Sequence, residues 1–440
     1  MKIKIICLIS IIILIFANIT APGLNIAINQ DKKNIKMTKA ETKYDTNQKI
    51  TDIINKINKS VVKKFYDELI SIGPRMTSTY GCEKAAEYIH QNFQEFNLDA
   101  KKQKWTKFGN RFNPQLYHSE NIIGTLNGNN IDDTDQIIFN AHYDTVRDSV
   151  GANDDGSGVV GVLAAAYILS QYNFNKTIKF VTFSGEEVGL LGSTFYAREA
   201  YLNNDDILIA FNADMIGRAI TKEEGKNIRL SYSEDTEWII DIMESINKSN
   251  DKLNLEISNK YPYDRNAERG FSDYFGFLCY GYESISVWEK AGDPYANTPE
   301  DVYSNVNISY LVNTTRIIAA TIAYIADIED QPPRITISAP KKGKLYYEDR
   351  ILKTYKTDKT IVINDIWIYT DIKTYNSDID KVEFYYDDNL EYTAEKIPYV
   401  WHLNKNSIRK HTVKTILYDK QGRTSEDQIN FLYFNLLKSR

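Results

Sequence analysis

Four runs of apolar, largely β-branched residues recur in the middle of this chain. They are QIIFN (Gln136–Asn140), TIKFVTF (Thr177–Phe183), ILIAFN (Ile207–Asn212) and SISVW (Ser284–Trp288). Strands apolar on both faces belong in a sheet covered on both sides. Helical patterns fall between and after them, at Ser157–Gln171, Leu190–Tyr201, Thr236–Ser249, Ser272–Tyr280 and Ser309–Asp327. Two more helices, Val61–Ile72 and Cys82–Phe96, and extended stretches at Ala100–Phe108 and Glu120–Leu126 come first. Such alternation predicts an α/β fold: a mostly parallel central sheet flanked by helices.

The pattern changes at EDQPP (Glu329–Pro333), which breaks the last helix. Beyond it come short alternating runs: Arg334–Ile337, Thr360–Tyr369, Lys381–Tyr386, Tyr399–His402, Thr412–Tyr418 and Gln428–Tyr433. Turn signals such as DKQGR (Asp419–Arg423) separate them, and the spacing is that of a small all-β sandwich.

At the other end, Lys2 and Lys4 precede an uncharged run from Ile5 to Ala17. That run is shorter than the roughly 20 residues of a membrane span and within the about 7–15 of a signal-peptide core. The expected organisation is a signal peptide over 1–21, a disordered lead or pro-segment over 22–50, an α/β domain over 51–330 and a β-sandwich over 331–440. Export implies a secreted, extracellular protein, with no stable membrane partner. The net charge of −6 gives no reason to expect nucleic acid. Cys82 and Cys279, the cysteines outside the leader, show no short C-x-x-C spacing, so a zinc–thiolate site is not expected. Export permits their pairing without requiring it.

In open α/β sheets ligands gather at the carboxyl ends of the strands. Four segments sit there in order: NAHYD (Asn140–Asp144), GANDDGSG (Gly151–Gly158), FSGEEVGLLGS (Phe183–Ser193) and NADMIG (Asn212–Gly217). Together they supply one imidazole and a set of carboxylates, which is what a two-metal hydrolytic site requires. Asp154 is the candidate bridge between two ions. His142 and Asp214 complete one ion, while Glu187 and a fifth residue complete the other. Glu186 stays free as general base, and Asp144 orients the imidazole from behind. The fifth segment, YANTPED (Tyr295–Asp301), offers Asn297. Plainer readings stand beside these. Asp155 shapes the turn or supports the ligands from behind, Arg218 has a surface or salt-bridge role rather than touching substrate, Asn297 is a turn residue, and the tyrosines of YPYD (Tyr261–Asp264) are half-buried sheet and surface residues rather than pocket lining.

These segments, with IGPRMTSTYGCEKAAEYI (Ile72–Ile89) and SENIIGTLNG (Ser119–Gly128) upstream, resemble the secreted zinc aminopeptidases of the aminopeptidase Y and bacterial leucyl aminopeptidase type. The resemblance covers roughly residues 60–328. It implies a zinc exopeptidase-like fold, two zinc ions, peptide substrates and hydrolysis of N-terminal residues. Residue by residue it implies His142, Asp154 and Asp214 on one zinc, Asp154 and Glu187 on the other, and Glu186 as base. The chain departs from the family twice: Asn297 stands where the family has a histidine, and Tyr274 in FSDYFGF replaces a second histidine. Asparagine offers a neutral amide oxygen, a poorer zinc ligand than imidazole. The second ion is therefore expected to be weakly held, harder than zinc, or absent. Two alternatives stay open: a non-catalytic extracellular binding or adhesion module, and a mono-metal enzyme of the same fold, as in the related glutaminyl cyclases. The segment Asp380–Ser425, with PYVW, HTV and YDKQGR, resembles a bacterial immunoglobulin-like domain. That resemblance leaves cell-surface contact open.

Overall fold

The computed structural model describes residues 48–131, 133–233, 236–262, 271–290, 292–328, 332–355, 359–374 and 378–436. The expected signal peptide, nearly all of the lead and most of the EDQPP break lie outside these residues, as do the side chains of Tyr261–Asp264.

The α/β portion runs in order through helices α1 (Gln48–Lys56), α2 (Lys59–Ser71) and α3 (Tyr80–Glu95), then strands β1 (Asp99–Phe108), β2 (Leu116–Leu126) and β3 (Gln136–His142). There follow α4 (Gly156–Leu169), β4 (Thr177–Phe183), α5 (Leu191–Asn203), β5 (Ile207–Ala213), β6 (Asn227–Tyr232) and α6 (Glu237–Ser249). The portion closes with β7 (Glu256–Pro262), α7 (Tyr274–Cys279), β8 (Ser284–Glu289) and α8 (Ile308–Asp327). The sheet has eight strands in the order β1-β2-β4-β3-β5-β8-β6-β7. Its centre, β4-β3-β5-β8, is parallel throughout. The antiparallel pairings lie outside that centre: β1 with β2, β2 with β4, and β6 with β8.

The alternation of strand residues explains the two helical layers. Ile137, Phe139 and Ala141 of β3 face the larger core, made with α1–α4, α6 and α8. Ile138 of the same strand faces the smaller core formed with Tyr196, Ala197 and Ala200 of α5 and Phe277 of α7. Helix α4 is buried along nearly its whole length, with only Tyr167 half-exposed, which suits its apolar sequence. It packs between the sheet and α8. Helix α8 is long and apolar enough to cross a membrane, yet most of it is buried in this core.

Residues 48–50, expected in a disordered lead, instead begin α1. The polar composition of the lead hid the stripe Ile50, Ile53, Ile54 and Ile57, all fully buried. No disulfide joins Cys82 and Cys279.

The C-terminal portion is a two-sheet β-sandwich. It comprises β9 (Arg334–Ala339), β10 (Lys344–Tyr347), β11 (Arg350–Thr354), β12 (Ile361–Ile363) and β13 (Ile366–Lys373). It continues with β14 (Ile379–Tyr386), β15 (Asn389–Ala394), β16 (Val400–Leu403), β17 (Ser407–Asp419) and β18 (Thr424–Asn435). Seven strands form one sheet, β11-β10-β12-β18-β17-β14-β15, and three the other, β16-β13-β9. Val362, Ile368, Val382, Phe384, Leu403, Val413 and Tyr433 fill the space between them. The sandwich meets the α/β portion beneath the amino ends of β3 and β5. There Arg334 reaches Asp135 at 2.6 Å and Asp206 at 3.2 Å. Lys373 reaches Asp135 at 2.8 Å and also pairs with Asp206.

Candidate metal centre

The opposite, carboxyl ends of the four central strands carry the chemistry-bearing residues. His142 ends β3, Glu186 and Glu187 follow β4, Asp214 follows β5, and Glu289 ends β8. Asp154 arrives on the loop before α4.

His142 is buried and held by its surroundings. Its backbone N–H donates to Asp155 Oδ2 at 3.2 Å, and its Nδ1 lies 3.1 Å from the Asp144 backbone carbonyl. A carbonyl oxygen only accepts, so in the neutral ring Nδ1 carries the proton and Nε2 presents its lone pair. That Nε2 faces Asp154 Oδ1 at 3.3 Å and Asp214 Oδ1 at 3.7 Å. Ligand atoms about 2.0–2.2 Å from a tetrahedral ion stand roughly 3.3–3.6 Å apart, so this spacing fits zinc.

Asp155 also lies close to His142 and Asp214. Its carboxylate is already committed, however. Oδ2 accepts from His142 N, and Oδ1 accepts from Gly158 N at 2.9 Å and Met215 N at 3.1 Å. It caps α4 and ties three segments together. The Asp154 carboxylate, facing the imidazole nitrogen, is the better-placed ligand.

The Asp144 carboxylate, with Oδ1 3.7 Å from His142 Nδ1, also serves the glutamate turn. It accepts from Thr77 Oγ1 at 2.8 Å and from the backbone N–H groups of Glu186 at 3.3 Å and Glu187 at 3.4 Å. It thereby fixes the glutamate turn, while its backbone carbonyl orients His142.

Asp301 accepts from the backbone N–H groups of Asn153 at 2.8 Å and Asp154 at 3.0 Å. Asn153 in turn donates to Glu289 at 3.1 and 3.2 Å and to Asp293 Oδ2 at 2.8 Å. Arg218 is 5% exposed, so it is no surface residue. Its backbone N–H donates to Glu289 Oε2 at 2.6 Å, and its guanidinium lies 3.5 Å from Asp293 and over the Tyr295 ring.

Arg75, fully buried, donates to four carbonyls: Tyr143 at 2.8 Å, Val150 at 2.6 Å, Gly151 at 3.0 Å and Gly73 at 3.5 Å. It joins the segment after α2 to both the histidine loop and the aspartate loop. Gly151 has φ +57°, and a Cβ there would come within 2.5 Å of the Asp154 carbonyl. A Cβ at Gly158 would meet the Ala213 carbonyl at 2.2 Å, so that residue serves close approach rather than turning.

Asn297 sits in a turn at φ +61°, a region asparagine tolerates well. Its amide lies against Glu187: with the amide oriented so that its nitrogen has partners, Nδ2 donates to Oε1 at 2.6 Å and Oε2 at 3.0 Å. The turn and site readings therefore coincide in one residue. Tyr274 is nearly buried and packs at 6.3 Å from the Trp288 ring.

The electrostatics express crowding of acids. Burial, then neighbouring Asp154, pushes Glu187 up to about 9. Burial also holds Glu186 well above the usual carboxylate range, helped by Asp214, Asp273 and Glu187. Asp273, fully buried, is pushed to about 7, and Asp301 to about 6, both mainly by burial. Burial alone would lower His142, yet Glu186, Asp144, Asp154 and Asp214 together hold it well above its ordinary value. Among the described residues, ion pairs to Asp154 and Asp214 come from His142 alone. Buried carboxylates without protein cations are costly, and a bound metal ion is what offsets such a cluster.

The structure thus gathers His142, Asp144, Asp154, Glu186, Glu187, Asp214 and Asn297 at one crevice. Arg75, Asn153, Asp273, Glu289 and Asp301 belong to the same cluster and were not assigned roles from sequence. A lone buried arginine or acid carries no spacing signal. Asp301, closing TPED, offered the best cue.

Residues 121–322 match peptidase family M28. Aminopeptidase YwaD of Bacillus subtilis (strain 168) is 29% identical over 240 residues, covering 52% of this chain and 50% of that protein. Aminopeptidase Y of Saccharomyces cerevisiae is 30% identical over 278 residues, covering 56% and 46%. The chain therefore spans about half the length of these curated relatives. The solved structure of BSAP, a zinc aminopeptidase from Bacillus subtilis, shares the fold. Its TM-score is 0.51 at 18% identity, over 63% of this chain and 96% of that one.

Proposed function

We propose that this chain, whose residues 121–322 belong to peptidase family M28, is a zinc-dependent aminopeptidase that removes N-terminal residues from peptides. The observation that carries the reading is His142 Nε2 facing Asp154 and Asp214 at 3.3 and 3.7 Å. In this reading His142, Asp154 and Asp214 hold one ion, and Asp154, Glu187 and Asn297 face the second position. Bound zinc would polarise the scissile carbonyl and acidify a water molecule. Glu186 takes that water's proton and delivers it to the leaving amine. Asp144 keeps Glu186 and Glu187 aimed through their backbone N–H groups. The surplus carboxylates at the crevice would hold the substrate's free α-amino group, which makes the action exo.

The same proposal extends to the rest of the chain. Residues 1–21 act as an export signal and 22–50 as a lead. The α/β domain ends near 330, and 331–440 is an immunoglobulin-like module available for cell-surface contact. The non-catalytic alternative draws on one observation, the neutral Asn297 amide beside Glu187.

The test is release of the N-terminal residue from unblocked and N-acetylated peptides by wild type and Glu186→Gln, with metal content measured in parallel. The proposal expects cleavage of unblocked peptides only, and a Glu186→Gln variant that keeps its metal but not its turnover. Metal retention with no turnover in wild type would establish the binding-module alternative instead.

A further inference from the structure

The two halves of the crevice offer different donor atoms. On one side stands an imidazole nitrogen with two carboxylates, His142 with Asp154 and Asp214. On the other, Asp154 lies beside Glu187, and Glu187 touches Asn297. Among the described residues, the donors on that side are oxygens: two carboxylates and one neutral amide. Asn297 is also exposed at the crevice mouth, whereas His142 is buried.

We infer that the two halves select different cations: the His142 half takes zinc, and the Asp154–Glu187–Asn297 half takes a harder, oxygen-preferring divalent cation such as Mn2+. This inference rests on the metal-centre reading above. Imidazole favours zinc and its neighbours, whereas carboxylate and amide oxygens suit Mg2+, Ca2+ and Mn2+. Raw affinity still follows the general order in which zinc exceeds manganese, so the difference shows as selectivity. The zinc preference conferred by His142 is missing from the second half. To serve as a ligand, the Asn297 amide must turn over, replacing its N–H contact to Glu187 with its oxygen toward the cation. A neutral donor that first gives up that contact, at an exposed position, adds little to zinc affinity.

The position itself tolerates the deciding substitution. Its φ of +61° lies in the left-handed region, where histidine, like asparagine, is several-fold enriched among non-glycine residues. Asn297→His can therefore supply a nitrogen donor without refolding the turn.

The experiment strips the purified full-length chain of metal and dialyses it against zinc with a large excess of Mn2+. Zinc and manganese per chain are then measured by elemental analysis, and bound Mn2+ by electron paramagnetic resonance. The expected result for wild type is one zinc and one manganese. Asn297→His should lose the manganese and gain a second zinc. Two zinc equivalents in wild type despite the manganese would overturn the inference, as would one zinc with no second ion at any Mn2+ concentration. Wild type that binds neither metal would overturn the metal-centre reading itself, a separate outcome. Asn297→Ala serves as the control for folding: it should keep the first zinc and lose the bound-manganese signal.

Discussion

Strands β3 and β5 each carry acids at both ends, and the two ends are treated in opposite ways. At the amino ends, buried Asp135 and half-buried Asp206 meet Arg334 and Lys373 of the sandwich. At the carboxyl ends, Asp154 and Asp214 meet only His142 among the described residues. The first arrangement neutralises itself with protein cations and serves as a joint. The second leaves negative charge in a low-dielectric crevice, where it must be protonated or matched by an ion from outside. Acid clusters in one fold therefore differ in purpose according to which cations the chain itself provides.

That contrast can be broken most severely at Asp154, the ligand proposed to be shared by both halves of the crevice. Asp154→Ala should abolish turnover and reduce bound metal to none, with the joint intact by thermal denaturation. Residual zinc at one equivalent would show that Asp154 is not the bridge. At the joint, Asp135→Ala leaves Arg334 and Lys373 with Asp206 as their acid and should cost about 2 kcal/mol of stability, read by denaturant titration, with metal content unchanged. Asp144→Asn should weaken metal affinity or activity by about 10–100-fold, because Asp144 aims ligands without touching the ion. Full activity in that variant would mean that backbone geometry alone holds the glutamates.

Asp206→Asn should have the smallest effect, about 1 kcal/mol, since its pairs are partly exposed and screened. Its pH dependence carries the sign. Burial would raise Asp206, but Arg334 and Lys373 hold it below its ordinary value. Its contribution is therefore complete above the unfolded pKa of about 3.9 and is lost as pH falls through the lower folded value. Acid titration of wild type against Asp206→Asn should show curves that converge only below about pH 4.

The central strands were legible because burial on both faces leaves a continuous apolar run, and their ends located the crevice. Strands β6, β7 and β11 were not. NIRLSY of β6 and EISNKYP of β7 are mixed in polarity, and RILKT of β11 is exposed along its whole length, so no alternation marks it. Within the crevice, the residues carried by sequence clusters were legible: His142, Asp154, Glu186, Glu187 and Asp214. Arg75 was quoted within a longer stretch but given no role, because its work is done on carbonyls, which any sequence can present. The Asp144 carboxylate shows a further gap. Its spacing from His142 suggested a side-chain contact with the ring, and Oδ1 stands 3.7 Å from Nδ1, but its bonds to the glutamate turn carried no sequence signal.

The bonds of Arg75 to the Tyr143, Val150 and Gly151 carbonyls bear on how fast the centre can be loaded. The guanidinium fastens the histidine and aspartate loops to each other and to the segment after α2 through contacts that involve no metal. The ordering entropy of those loops is met when the chain folds, not when the ion arrives. Uptake should then be governed by diffusion to the crevice mouth, without a slow conformational phase. Amide hydrogen exchange across Gly151–Ser157 should be equally slow before and after chelation.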